Sequence, residues 1–231
     1  MMHPFHLNWF TRYSLAVDLF RELVRGEGQI LEVGSGSFGL AAFVDRQVIG
    51  LDAAFEPDRH KLLSPVRGHA GILPFKDRAF EAVISLDLIE HIPGAERPRI
   101  IAEMFRVCAR CLIIACPIGV TAATCDRQFA DWLAGRGLGV PWWLEEHLQT
   151  DIPERQEILS AIALLPEASV KVIPNENSAI HTMAVIADHT PEILDALRPS
   201  LNSNRDEWLN LCRGVNFGEC YREFFVVSRS G

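Results

Sequence analysis

Apolar positions along this 231-residue chain switch repeatedly between two periods, and the switches mark out its elements. Leu15, Leu19, Phe20, Leu23 and Val24 recur at helical spacing and predict a helix over Leu15–Val24, ended by Gly26 and Gly28. Gln29–Val33 is a short apolar run that predicts a strand, and Gly34-Ser-Gly-Ser-Phe-Gly39 follows at once. A helix is expected to begin over Leu40–Asp45. Strands are expected at Val48–Asp52, Phe80–Leu86 and Leu112–Cys116, with a helix over Pro98–Val107 before the last and Pro117 stopping it. This alternation of strand and helix argues for a parallel sheet covered by helices on both faces.

The second half is less regular. It predicts helices over Asp126–Leu133, Pro153–Leu165, Ala179–Ala187 and Pro191–Leu211, and strands at Val170–Ile173 and Tyr221–Ser228. Gly135–Pro141 reads as a glycine-rich turn leading into Trp142–His147. No internal repeat, low-complexity tract or long linker divides the chain. A single domain over residues 1–231 is expected, with its core at about 27–118, 153–174 and 220–229. Insertions at about 119–152 and 177–215 would form a lid.

Composition narrows the function classes. Hydrophobic residues make up 48% and charged residues 23%, an ordinary globular balance. Lysine and arginine total 22 against 30 acids, a formal charge of −8 with no basic run, so no nucleic-acid partner is expected. No segment has the ~20 apolar residues of a membrane span. Met1–Arg25 carries Arg12, Asp18, Arg21 and Glu22 within its apolar stretch, the pattern of an amphipathic helix and not of a signal peptide. The six scattered cysteines read as reduced thiols, making the cytoplasm the expected compartment. Cys108 and Cys111 form one CxxC without a companion pair, which reads as two core thiols at a strand start.

Candidate chemistry concentrates at Gly34–Gly39. A glycine turn between strand and helix lets a ligand approach the backbone, and Asp52, closing the next strand, can accept both hydroxyls of a ribose. GxGxxG also fits a dinucleotide. Glu32 separates the two, since an acid two residues before the turn repels pyrophosphate and suits a ligand with ammonium and sulfonium groups.

Ile30–Gly39 resembles the first motif of the class I S-adenosylmethionine-dependent methyltransferases, and Val48–Asp52 is similar to the second. Gly68–Ile92 resembles the matching stretch of the family's small-molecule, type 11-like branch. The likeness spans Gln29–Pro117, about two-fifths of the chain. It implies a Rossmann-like, doubly wound, mostly parallel seven-stranded sheet with a helical insertion as acceptor lid. It further implies S-adenosylmethionine as cofactor and methyl transfer to the oxygen or nitrogen of a small-molecule acceptor. Gly34, Ser35 and Gly36 would line the methionine part, with Glu32 orienting that loop and its ammonium. Asp52 would hold the ribose, and Ala53 would touch the adenine face. Ala70, Gly71 and Ile72 would flank the adenine, and Leu86 would meet the methionine moiety through its backbone. Two departures stand out: Phe38 precedes Gly39 where many members have their third glycine, and His69 replaces the aspartate usual before Ala70.

Asp87, Glu90 and His91 form a DxxEH cluster at a strand end. It can be read as a divalent-metal set, as a source of a general base in His91, or as structural capping; no metal is expected, and His91 is the catalytic candidate. Trp142, Trp143, Glu145, Glu146 and His147 lie where an acceptor pocket is expected, Trp143, Glu146 and His147 being the substrate candidates; a Trp-anchored lid is the alternative. Asn175, Asn177 and His181 are either acceptor contacts or solvated loop residues. The rival functions are an NAD(P)-dependent oxidoreductase, a non-catalytic S-adenosylmethionine-binding partner subunit, and a metal-assisted methyltransferase of RNA ends. The residues leave the oligomeric state open.

Overall fold

A computed structural model describes residues 5–24 and 26–229, so Met1–Pro4 and Arg25 of the expected N-terminal helix lie outside the described residues. The elements run α1 (Leu7–Leu23), β1 (Ile30–Val33), β2 (Val48–Asp52), β3 (Leu63–Arg67), β4 (Phe80–Leu86), α2 (Arg97–Val107) and β5 (Cys108–Pro117). Then come α3 (Gly119–Ala134), α4 (Trp142–Gln149), α5 (Arg155–Ala163), β6 (Ala168–Asn177), α6 (Ser178–Asp188), α7 (Pro191–Ser203), α8 (Arg205–Cys212) and β7 (Cys220–Arg229).

The seven strands form one sheet in the order β3-β2-β1-β4-β5-β7-β6, parallel except for β7, which runs antiparallel to both neighbours. The chain leaves β1 toward β3 and then returns to β4 on the other side of β1. This reversal opens a crevice beyond the carboxyl ends of β1 and β4, where open α/β sheets bind ligands. Side chains alternate between two apolar layers. Ile30, Ile84, Ile113 and Phe224 face the layer of α1, α7 and α8. Leu31, Val83, Leu112 and Phe225 face that of α2 and α5. Among the described residues no helix is long and apolar enough to cross a membrane.

Several elements differ from expectation for physical reasons. The helix expected at Leu40–Asp45 is only a single 3-10 turn, Leu40–Ala42. Residues 40–44 are all buried, which one helix face cannot achieve, and few residues remain before β2. α1 begins earlier than expected and covers that part of the sheet with Phe10, Tyr13 and Val17. β3 escaped notice because it is an edge strand with Pro65 inside it and mostly exposed side chains. The helix expected over Pro191–Leu211 breaks at Asn204, whose backbone (φ −120°, ψ 49°) is not helical. α3, α4 and α6 carry a small apolar core of their own around Phe129, Leu133, Leu144 and Val185.

Candidate active site

The glycine turn, Asp52 and the exit of β4 enclose a cavity of about 490 Å³ at the crevice. Its floor is Gly34–Gly39, its sides are Asp52, Ala54 and Leu86–Leu88, and its mouth is Trp9, Arg12, His91, Trp142 and Glu146. The turn is fastened along its length. The Gly34 N–H donates to Leu51 O at 2.8 Å and the Gly36 N–H donates to Asp52 Oδ2 at 2.8 Å, tying the ends of β1 and β2 together. At Gly39, φ is +48° and an added Cβ would overlap Glu32 Oε2, so glycine alone fits. Phe38 instead lines the cavity, its ring 6.3 Å from that of Trp9.

Glu32 sits behind this turn, 1% exposed. Its Oε2 accepts the Leu40 N–H at 2.7 Å and its Oε1 accepts the Tyr13 hydroxyl at 2.9 Å. Burial pushes its carboxyl up to about 7, against the pull of those two donors. It orients the loop, each oxygen holding one protein donor, and it is not among the residues lining the cavity. The carboxylates lining the cavity are Asp52, Glu56, Asp87 and Glu146. Gly34, Ser35, Gly36 and Leu86 lie on the wall as expected, whereas Ala53 is exposed beside the wall residue Ala54. Ala70, Gly71 and Ile72 form a turn after β3 that abuts Asp52 through the Gly68 N–H (3.0 Å to Asp52 O) but stops short of the wall. Ile72 is 73% exposed, and the His69 ring is tied into its own turn, its Nδ1 accepting the Gly71 N–H at 3.1 Å.

A second cavity, also about 490 Å³, shares Trp9, Arg12, Asp87, His91 and Trp142 with the first. Asp87 stands in the partition with φ at +50°. The wholly buried Arg222 forks onto it, Nε donating to Oδ1 at 2.6 Å and Nη2 to Oδ2 at 2.8 Å, while Arg12 Nη1 adds a third bond at 3.0 Å. Burial alone would raise this carboxyl, but Arg222 and then Arg12 hold it at about 2. With both oxygens taken, Asp87 is removed from the DxxEH set as a ligand.

α4 presents two faces to the cavities, as side chains four apart must. Trp142 and Glu146 face the mouth of the first, and Trp143 and His147 line or seal the second. Glu146 Oε2 lies 2.6 Å from His91 Nδ1, and Asp126 Oδ2 lies 2.9 Å from His147 Nδ1. Asp126 also accepts the Tyr221 hydroxyl at 2.9 Å. Burial, with the neighbouring His147, lowers the His91 imidazole, Glu146 opposing. Glu90 points in from the loop after β4, wholly buried, and burial drives its carboxyl well above the ordinary range, Asp87's charge adding to the effect. One ligand atom each from Glu90, His91 and His147 falls within 4.8 Å of the others.

Asn175 and Asn177 hold the fold together, whereas His181 lines the second cavity. Asn175 is buried, donating to Thr11 O at 3.2 Å and accepting from Arg222 at 3.2 Å. Asn177 caps α6 by accepting the Ala179 and Ile180 N–H groups. His181, far from being solvated, is buried against Tyr221, lines the second cavity and meets Glu176 at 3.1 Å. Cys108 and Cys111 point into opposite apolar layers, with burial pushing their thiols up to about 11 and about 12. That excludes a shared metal. Sequence reasoning missed Trp9, Arg12, Tyr13, Tyr221 and Arg222. The available signals were an arginine inside an apolar helix and another opening an apolar strand.

Residues 31–111 match a family model described as a methyltransferase domain. Among solved structures, the chain is similar to a methyltransferase assigned to an antibiotic biosynthesis pathway of Anabaena variabilis ATCC 29413. That match has 16% identity, 95% of this chain and 99% of the other covered, and a TM-score of 0.60. It is also similar to magnesium protoporphyrin IX methyltransferase from Synechocystis PCC 6803 with bound S-adenosylhomocysteine (13% identity, 97% and 84% covered, TM-score 0.55). A third is phosphoethanolamine N-methyltransferase 2 of Haemonchus contortus in complex with S-adenosylmethionine (14%, 95% and 53%, 0.55). Comparison with curated proteins gives no match.

Proposed function

We propose that this chain, whose residues 31–111 match a methyltransferase-domain model, is a class I S-adenosylmethionine-dependent methyltransferase that methylates a small acceptor held in the second cavity. The observation that carries this reading is the shared partition. A donor cavity floored by the glycine turn and a second cavity of similar size meet at Trp9, Arg12, Asp87, His91 and Trp142. Each has the volume of a small-molecule site.

In this reading Gly34, Ser35, Gly36 and Leu86 line the methionine part of the donor, and Asp52 accepts the ribose hydroxyls. Glu32 acts from behind by bracing the turn through Leu40. Ala53, Ala70, Gly71 and Ile72 stand just beyond the wall, on the side where the adenine would extend past Asp52. The donor sulfonium is already activated, so alignment and water exclusion across the partition are what the protein adds. Where Glu146 accepts the His91 Nδ1–H, Nε2 is left with a lone pair toward the partition, which suits the deprotonation or holding of a hydroxyl acceptor. The dinucleotide alternative is disfavoured by the methyltransferase-domain match.

Calorimetry with S-adenosylmethionine and S-adenosylhomocysteine tests the donor site. Wild type binds both. Asp52→Ala loses roughly 2 kcal/mol, a ~30-fold weaker Kd, through two lost hydrogen bonds to the ribose. No binding of either ligand to wild type overturns the reading.

A further inference from the structure

We propose that Glu90, His91 and His147 form a divalent-cation site at the partition, and that the cation holds the acceptor by a hydroxyl oxygen. The inference deepens the reading above and rests on it for the acceptor's identity, though not for the cation itself.

Three observations converge. Glu90 is 0% exposed and neither carboxylate oxygen has a hydrogen-bond partner. A buried carboxyl left this way is costly, and buried polar groups are normally satisfied. His147 Nε2 is likewise buried without a partner. Ligand atoms from these two residues and from His91 already lie within 4.8 Å of one another. On one tetrahedral ion the same atoms would draw in to about 3.4 Å of one another.

The outer contacts favour the same ion. Each imidazole has its Nδ1 on a carboxylate: His147 on Asp126 at 2.9 Å, His91 on Glu146 at 2.6 Å. Asp126 is itself held by the Tyr221 hydroxyl. A carboxylate behind each ring places the Nδ1 proton and leaves Nε2 to ligate, the outer arrangement that metal-binding histidines carry. Asp87 is excluded because Arg222 and Arg12 occupy its oxygens. Two imidazole nitrogens and one carboxylate oxygen suit zinc, manganese or iron(II) rather than calcium or magnesium.

Three protein ligands leave coordination positions open toward the partition, where a hydroxyl can bind. A cation held by these side chains would lower that hydroxyl's pKa, and with His91 Nε2 engaged as a ligand the proton would pass to water and not to the imidazole. The oxygen lone pair then attacks the methyl carbon and the S–CH3 bond breaks with its electron pair on sulfur. The products are the methyl ether and neutral S-adenosylhomocysteine.

Tag-free full-length protein, stripped with chelator, is titrated with Co²⁺ in the absence of donor. The expected result is one Co²⁺ per chain, with visible bands of a nitrogen/oxygen site and no thiolate charge-transfer band. Affinity falls at least ~100-fold in Glu90→Gln and in His91→Gln, the second being the one member of the three that is not fully buried and so the least able to disturb folding. S-adenosylhomocysteine binding to Glu90→Gln stays within threefold of wild type. Sub-stoichiometric Co²⁺, a thiolate band, or unchanged affinity in His91→Gln overturns the site. If Co²⁺ fails while S-adenosylhomocysteine binds, the cation is wrong and the donor reading stands; if Co²⁺ binds and S-adenosylhomocysteine does not, the reverse holds.

Discussion

The donor cavity and the second cavity have similar volumes, yet they are built in opposite ways. The floor of the first is made from one short run of chain, with α1, the exit of β4 and α4 closing its sides and mouth. β1, the glycine turn, β2 and Asp52 lie within residues 30–52, and the turn is stitched to the end of β2 by the Gly34 N–H on Leu51 O and the Gly36 N–H on the Asp52 carboxylate. The second is assembled from α1, the loop after β4, α3, α4, α6 and the start of β7. Its geometry depends on long-range ion pairs, not local turn geometry. Asp87 and Arg222, 135 residues apart in sequence, hold the two together.

The sharpest way to break this contrast is Asp87→Asn. The substitution leaves buried Arg222 with Glu176 as its remaining carboxylate and removes the anchor of Arg12. Breaking one side of a buried pair costs about 3–5 kcal/mol. Chemical denaturation should show that loss, accompanied by weaker S-adenosylhomocysteine binding, because Asp87 serves both cavities. A loss below ~1 kcal/mol with donor affinity intact would mean that the cavities are independent.

Glu32 sharpens the contrast next, because it braces only the donor turn. Its folded-state carboxyl is raised from 4.5 to about 7, so the native state holds a proton that the unfolded chain has released between those values. Stability therefore falls as pH rises from about 4.5 to about 7, by roughly 3 kcal/mol at 1.36 kcal/mol per pH unit. Glu32→Gln lacks this titration. Denaturation measured at several pH values should show the variant gaining on wild type by about that amount across the window. Parallel curves would show that the buried carboxyl titrates normally and that the turn is braced otherwise.

The same contrast explains what could be read beforehand. Strand Val48–Asp52, strand Phe80–Leu86 and the turn between Glu32 and Leu40 were legible because sequence-adjacent residues enforce them. The parallel sheet followed from the alternation of elements. His147 beside Glu90 was not legible, since 57 positions separate them and only the packing of α4 over the loop after β4 brings them together. Arg222 was hidden for a related reason, because a charged residue opening an apolar strand reads as a solvent-facing end until its partners are placed. Spacing placed Glu32 beside the turn but could not show that it is buried behind it, with the Tyr13 hydroxyl and the Leu40 N–H on its oxygens.

The smallest effect belongs to Trp142, which stands where the two cavities meet. Its side chain is 67% exposed, and its ring lies 5.7 Å from that of His91 at the mouth. Removing an exposed ring costs little fold stability, within about 0.5 kcal/mol, so thermal unfolding of Trp142→Ala should match wild type closely. Donor contacts come mainly from the turn and Asp52, so the Kd for S-adenosylhomocysteine should change less than about threefold. The loss should appear with the acceptor instead. A hydroxyl compound that supports turnover should show a KM about fivefold higher, the ~1 kcal/mol of one partly buried aromatic contact, with kcat nearly unchanged. A large drop in donor affinity would move Trp142 to the donor half and make α4 a lid over the cofactor, not a wall for its acceptor.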